Sequence, residues 1–235
     1  MSMKNNILVL IAAIIPFIVV ETGIAATISG TVKLKGRPSR VKKIAITKDA
    51  EICGKGGTKF REDLIVGKNK GIKNAVITVA GLKAKPAKVE VSQDTCQFKP
   101  HVAVMYIGSE VKLYNNDGIT HNFHSLPQEN ESLNKAQPGE VKERTLEAEA
   151  LEVVEKYPVQ CDIHEWMKGW FVVTDAVSGK TDENGAFKID NVPPGKYTLE
   201  LWHESQGTQT KEIEVKDGDN KVSFSMKKKV GGRAF

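Results

Sequence analysis

Much of the chemistry that a chain of 235 residues could carry is missing from this one. None of its five histidines stands in an H-x-H or H-E-x-x-H arrangement, and no G-x-S-x-G elbow occurs, so the common metalloprotease and serine-hydrolase signatures are absent. Two glycine-rich stretches fall short of a phosphate loop. Cys53-Gly54-Lys55-Gly56-Gly57 lacks the strand-to-helix context and the Lys-Ser/Thr ending, and Gly179-Lys180-Thr181 is preceded at Thr174 by the wrong residue. Aromatic residues make up 6% of the chain and do not interleave with basic ones. The net charge of +5 therefore carries no nucleic-acid signature. Lys and Arg concentrate between Lys33 and Lys88 and again at Lys227, Lys228, Lys229 and Arg233. That pattern reads as a solvated face, with an acidic partner or membrane surface as the functional alternative.

Long apolar runs are equally scarce. Ile7 to Val20 is too short for a membrane span. It follows Lys4 and precedes the small residues Gly23 to Ala26, which fits a secretory signal peptide over 1–26. A periplasmic or extracellular protein is expected, an uncleaved membrane anchor being the alternative. No Cys lies near the cleavage site, so a lipoprotein is not expected.

What is present is concentrated in one stretch, Cys161-Asp162-Ile163-His164-Glu165-Trp166-Met167. It puts a thiolate, an imidazole and a thioether on one short loop. His121-Asn122-Phe123-His124, after the turn-like run Asn115-Asn116-Asp117-Gly118, offers a second imidazole. Two His nitrogens and a Cys sulfur with a weak axial Met form the ligand set of a blue-copper electron-transfer centre. Zinc takes Cys and His as well, but Met is a poor zinc ligand. Taken alone, Met167 reads as readily as core packing.

These motifs carry a resemblance. Residues 97–174 resemble a cupredoxin, and the C-x2-H-x2-M spacing with an upstream H-N-x-H is similar to that of the amicyanins. Phe98-Lys-Pro-His-Val and Ile107 to Asp117 resemble the early strands of that fold. The resemblance implies an all-β, Greek-key β-sandwich with one type 1 copper held by His121, Cys161, His164 and Met167. It also implies that Asn122 tethers the two ligand loops, and that His164, on an exposed loop beside Trp166, passes electrons to a partner. His124 is then a surface or supporting histidine. The material between the motifs is unlike amicyanin, so partner surfaces do not carry over. Val141 to Lys156 has a helix-friendly composition, but this fold requires strands there.

Three cysteines leave an odd one. With Cys161 on copper, Cys53 and Cys96 are free to form a disulfide; a second metal site using Cys96 and His101 is the rival. Residues 27–92 read as a small β domain from the alternating Thr27 to Leu34 and the β-branched Asn74 to Ala80. The cupredoxin-like segment spans 93–175. Thr181 to Ile189 and Val192 to Leu199 resemble the carboxypeptidase regulatory-like family, small transthyretin-like β-sandwiches, over 176–226. A basic tail, 227–235, follows, and His203 is expected to be structural. The segments flanking the copper domain read either as separate modules or as two halves of one split sandwich.

The expected function is exported single-electron transfer, with a redox protein such as a c-type cytochrome as partner. The alternative is a copper-binding or surface-recognition module without electron traffic. Enzyme activity is not expected, because copper enzymes of this kind add further His motifs.

Overall fold

The computed structural model describes residues 26–146 and 151–227. The segments expected to be signal peptide and basic tail thus lie outside the described residues, apart from Ala26 and Lys227. β1 (Ala26–Lys35) leads into an irregular strap that holds one helical turn, α1 (Ala50–Cys53), before β2 (Val76–Lys83). The middle of the chain forms β3 (Lys88–Gln93), β4 (Phe98–Lys99), β5 (Val102–Tyr106), β6 (Glu110–Asn115) and β7 (His121–Ser125). β8 (Asn134–Gln137), β9 (Glu143–Thr145), β10 (Glu155–Gln160) and β11 (Lys168–Thr174) continue it. β12 (Ala176–Lys180), β13 (Ala186–Val192), β14 (Gly195–His203), β15 (Gly207–Val215) and β16 (Asp219–Lys227) follow. The strands expected between Val141 and Lys156 are present at both ends as β9 and β10; 147–150 lie outside the described residues.

Two sandwiches result. A five-stranded sheet ordered β5-β11-β10-β7-β8 faces a four-stranded sheet ordered β4-β3-β6-β9. Their inward residues, among them Phe98, Leu113, Phe123, Tyr157 and Phe171, close one apolar core. Strand alternation aims them inward, since successive side chains of a strand point to opposite faces. This is the expected all-β, cupredoxin-like sandwich. The other sandwich joins a three-stranded sheet, β13-β1-β16, to a four-stranded sheet, β12-β2-β14-β15, over a second core.

Residues 27–92 therefore do not build a sheet of their own. β1 pairs parallel to β16 from Thr27↔Asp219 to Lys35↔Lys227 and antiparallel to β13. β2 pairs with β12 and β14, while β3 crosses to the other sandwich and pairs with β6. The reason lies in burial. β1 turns Ala26, Ile28, Val32 and Leu34 to one side, an apolar stripe that needs a cover, and β13 and β16 supply the matching stripes. Gly30 permits the closeness of that pairing, because a Cβ there would stand 1.6 Å from the Val222 carbonyl oxygen.

β11 joins the two bodies. Phe171 and Val173 enter the first core, while Val172 meets Val76, Val102 and Trp202 in a small cluster between the sandwiches, with Trp170 packed on it. A strand buried on both faces reads as an unbroken apolar run, as Trp170-Phe171-Val172-Val173 does. Trp170 and Trp202 meet edge to face at 5.2 Å. Beside them His101 Nε2 lies 2.6 Å from Glu204 Oε1, and Trp170 Nε1 donates to Glu204 Oε2 at 2.9 Å. Burial would lower the pKa of His101, but the Glu204 carboxylate outweighs it and holds the pKa above the usual imidazole value.

The strap runs across one end of both bodies. Ile46 and Ile52 pack on the first core, and Leu64 and Val66 on the second. Cys53 is bonded to Cys96, at a sequence separation of 43. Both cysteines are thereby used, and His101 is engaged with Glu204, so Cys96 and His101 do not come together as a metal site among the described residues.

Two outcomes follow from these contacts. Replacing Cys53 and Cys96 together by Ala should lower unfolding stability by about 4 kcal/mol, the loop-entropy value for a closure of this length, read from urea denaturation. For His101 a raised folded pKa means that its contribution is complete below the unfolded value and fades as pH climbs through the folded one. The stability lost in Glu204→Gln should accordingly be largest below the ordinary imidazole pKa, about 6.5, and shrink as pH rises above it. A pH-independent difference would remove the charge from the account.

Candidate metal centre

The loop 161–167 is the hairpin connection between β10 and β11, opened by the pair Gln160↔Lys168. Two backbone bonds draw it tight: Cys161 N–H donates to the Met167 carbonyl (3.1 Å) and Met167 N–H to that of His164 (2.8 Å). The spacing C-x2-H-x2-M is what lets a loop this short turn a sulfur, an imidazole and a thioether inward together. Cys161, His164 and Met167 are buried, at 1%, 0% and 0% exposure. β7 runs alongside β10, and its first residue, His121, is also fully buried.

The coordinating atoms of His121, Cys161 and His164 all lie within 4.8 Å of one another. The two imidazoles meet through their Nδ1 atoms, 3.0 Å apart, and the Cys161 sulfur is 3.8 Å from His164 Nδ1. What lies behind the rings decides their protonation. His121 Nε2 is 2.8 Å from Asp117 Oδ2, and His164 Nε2 is 2.8 Å from Asp49 Oδ2. Carboxylates only accept, so each Nε2 carries the hydrogen and each Nδ1 presents a lone pair. Two such lone pairs facing at 3.0 Å require a cation between them, either a proton or a metal ion.

The ionisation of the metal-free residues agrees. Burial would depress His121, but its bond to Asp117 and the neighbouring Cys161 sulfur push its pKa up to about 9. Burial would raise Cys161, yet His121 and the Asn122 N–H bring it down to about 7. An imidazolium beside a thiolate is a site in which a soft divalent ion can replace a proton.

Each carboxylate is itself fixed. Gly118, with φ +72°, completes the turn after Asp117. The Asp117 carboxylate accepts the N–H groups of Thr95 (2.5 Å) and Cys96 (2.8 Å), which sit in left-handed conformation. Successive N–H groups of this kind form an anion cradle. Burial would raise the pKa of Asp117, but these bonds and His121 together hold it below the usual carboxylate value. Asp49 begins α1 in a left-handed conformation and does not cap it; its carboxylate goes to His164 instead.

Asn122 lies between the two ligand-bearing segments. Its N–H points at the Cys161 sulfur (3.4 Å), its Oδ1 accepts the Asp162 N–H (2.6 Å), and its Nδ2 donates to Asp162 (2.9 Å) and Asn134 (2.8 Å). His124 faces away and pairs with Asp162 at 3.0 Å. His203 is buried against the Lys73 carbonyl at 3.2 Å, outside the site.

One expectation is corrected. The loop exposes Asp162 and Glu165, but the His164 ring does not share that exposure: the strap lays Asp49 over its outer nitrogen, and the ring is fully buried. Trp166 does pack edge-on against it, at 5.3 Å. Asp117 and Asp49 are the site residues that the sequence reading missed. The former stood in a stretch read only as a turn, four residues before His121. The latter had no local signal at all, being brought in across 115 residues.

Residues 178–223 match the family model described as polysaccharide lyase family 4, domain II, where the sequence suggested the carboxypeptidase regulatory-like family. That match does not reach the site. Among solved structures the chain is similar to a Cu-containing nitrite reductase from Thermus scotoductus SA-01, with 22% identity and a TM-score of 0.34 over 39% of this chain and 23% of that one. It is also similar to a purple cupredoxin from Nitrosopumilus maritimus, with 16% identity and a TM-score of 0.30 over 37% of this chain and 99% of the other. An amicyanin mutant in its Cu(I) form gives 17% identity and a TM-score of 0.32 over 42% and 98%. The chain spans under a quarter of the nitrite reductase (23%), and TM-scores this low carry no functional argument. No curated protein matches the chain.

Removing the carboxylate behind either ring, by Asp117→Ala or Asp49→Ala, should weaken Cu(II) binding by about 10- to 100-fold, the usual cost of losing such a partner. Competition with a chelator measures it. Unchanged affinity in both variants would mean that the carboxylates do not orient the rings.

Proposed function

We propose that this chain is an exported carrier of single electrons, built around one type 1 copper held by His121, Cys161, His164 and Met167. The observation that carries the reading is the pair of buried Nδ1 atoms, 3.0 Å apart beside the Cys161 sulfur, each backed by a carboxylate. Imidazole suits Cu(II), while thiolate and thioether suit Cu(I), and bound copper supplies a one-electron couple between them. The protein's part is to keep that mixed donor set still. Asp117 and Asp49 fix the two rings, the Asn122 N–H fixes the sulfur, and the two backbone bonds of the loop fix Met167. A site so held changes little between oxidation states, which is what fast electron exchange needs. Zinc would use the same Cys and His, but the fourth donor in this reading is Met167, and a structural zinc site requires a stronger one.

The partner in this reading is another redox protein, such as a c-type cytochrome, met in a periplasm or outside the cell. One observation favours the alternative of copper binding without electron traffic: the buried His164 offers no bare imidazole edge to a partner.

The copper-loaded protein should show an intense visible charge-transfer band and a narrow copper hyperfine splitting, and Cys161→Ser should lose both. A Cys161→Ser protein that stays coloured would remove the sulfur from the ligand set. A colourless wild type that binds zinc as tightly as copper would leave the binding-module reading in front.

A further inference from the structure

We infer that the outer face of the strap, between Arg37 and Lys59, is the surface through which electrons enter and leave, and that it receives the acidic face of a partner protein. The inference rests on the electron-transfer reading and adds to it where, and against what chemistry, the exchange occurs.

The first ground is the route. His164 has no exposure, but its Nε2 donates to Asp49, whose side chain is 47% exposed. One hydrogen bond thus spans from a ligand ring to the solvent side of the strap. The second is rigidity. Cys53, one helical turn after Asp49, is bonded to Cys96, and Ile52 packs on the first core. The strap is therefore part of the site's wall, and a partner meets the wall.

The third ground is charge. Between Arg37 and Lys59 basic residues outnumber acidic ones seven to two, the acids being Asp49 and Glu51. Lys48 precedes Asp49 and is exposed, as is Lys55, and Lys59 reaches back to the Lys55 carbonyl at 3.3 Å. None of these three lysines is ion-paired among the described residues. Lysines left unpaired around a redox site steer an anionic surface toward it.

The fourth is apolar. Val41 and Phe60, exposed by 51% and 44%, are two of the four exposed large hydrophobic residues among those described. They stand on the two segments of the strap joined by the isolated antiparallel bridge Lys43↔Phe60. A small apolar patch with a charged rim is the anatomy of a docking site, and brief electron-transfer encounters use small interfaces.

The test needs no identified partner. The reduced copper protein is mixed at low salt with hexacyanoferrate(III), an anion, or with tris(phenanthroline)cobalt(III), a cation. One electron passes from the reduced site to one Fe(III) or Co(III), giving Fe(II) or Co(II), with no proton transferred. Reversing Lys48, Lys55 and Lys59 to Glu should slow the anionic reagent about tenfold or more and speed the cationic one. The visible spectrum should be unchanged. Reversing Lys196, Lys211 and Lys221 on the other sandwich makes the same change in net charge and should move neither rate. In the metal-free protein, redox-inert hexacyanocobaltate(III) should shift the backbone amides of 42–59 and leave those of 196–221 alone.

Equal effects from the two triple variants, or amide shifts centred elsewhere, would overturn the docking surface alone. A copper protein that neither reagent oxidises would overturn the electron-transfer reading, and this surface with it.

Discussion

Two imidazole nitrogens held 3.0 Å apart in a buried pocket must share a cation between them, and much of this chain is arranged to keep them there. Asp117 holds one ring and Asp49 the other, and neither carboxylate is placed by its own neighbours. Asp117 is gripped by the backbone of Thr95 and Cys96, in the turn between β3 and β4. Asp49 is delivered by the strap, which the Cys53–Cys96 bond ties to that same turn. The disulfide thus gathers the supports of both imidazoles at one point. A metal ion that replaces the proton between the nitrogens finds both rings already held by the fold, so its affinity is coupled to folding and to pH.

The two sandwiches stand in different relations to that point. One carries the ligands; the other contributes no donor. Yet β11 leaves the ligand loop at Lys168 and is buried on both faces, so the packing of Val172 and Trp170 on the second body is continuous with the loop's closing strand. The hydrogen-bonded pair of His101 and Glu204 sits at the same seam, and His101 also contacts the Lys168 carbonyl at 3.1 Å. Neighbouring mass of this kind restrains a loop through its backbone and leaves its chemistry to the ligands.

What the sequence revealed and what it hid divide by range. The loop 161–167 was legible because its donors lie within seven residues, and β1 and β2 were legible because alternation and β-branched composition are local. The pairing of β1 with β16 was open between two readings, since alternation states that a stripe needs a cover and not which stripe covers it. Asp49 was hidden for the same reason: its partner is His164, and nothing within a few residues of either points to the other. The exposure of His164 was misjudged because the resemblance covers the copper body alone, while the strap that buries the ring belongs to the rest of the chain.

The parallel seam between β1 and β16 sets an order of assembly. A ribosome releases Thr27 long before Asp219, its neighbour in the sheet, and contacts of such sequence separation form late. The copper body, whose strands lie between them, can complete its core first, as domains of a growing chain generally do. Until β13 and then β16 arrive, β1 is a strand with open edges and an apolar face, the kind of edge that invites a wrong partner. The maturing protein is thus a finished metal-binding body trailing an unfinished one, and β16 is the latch that closes the second.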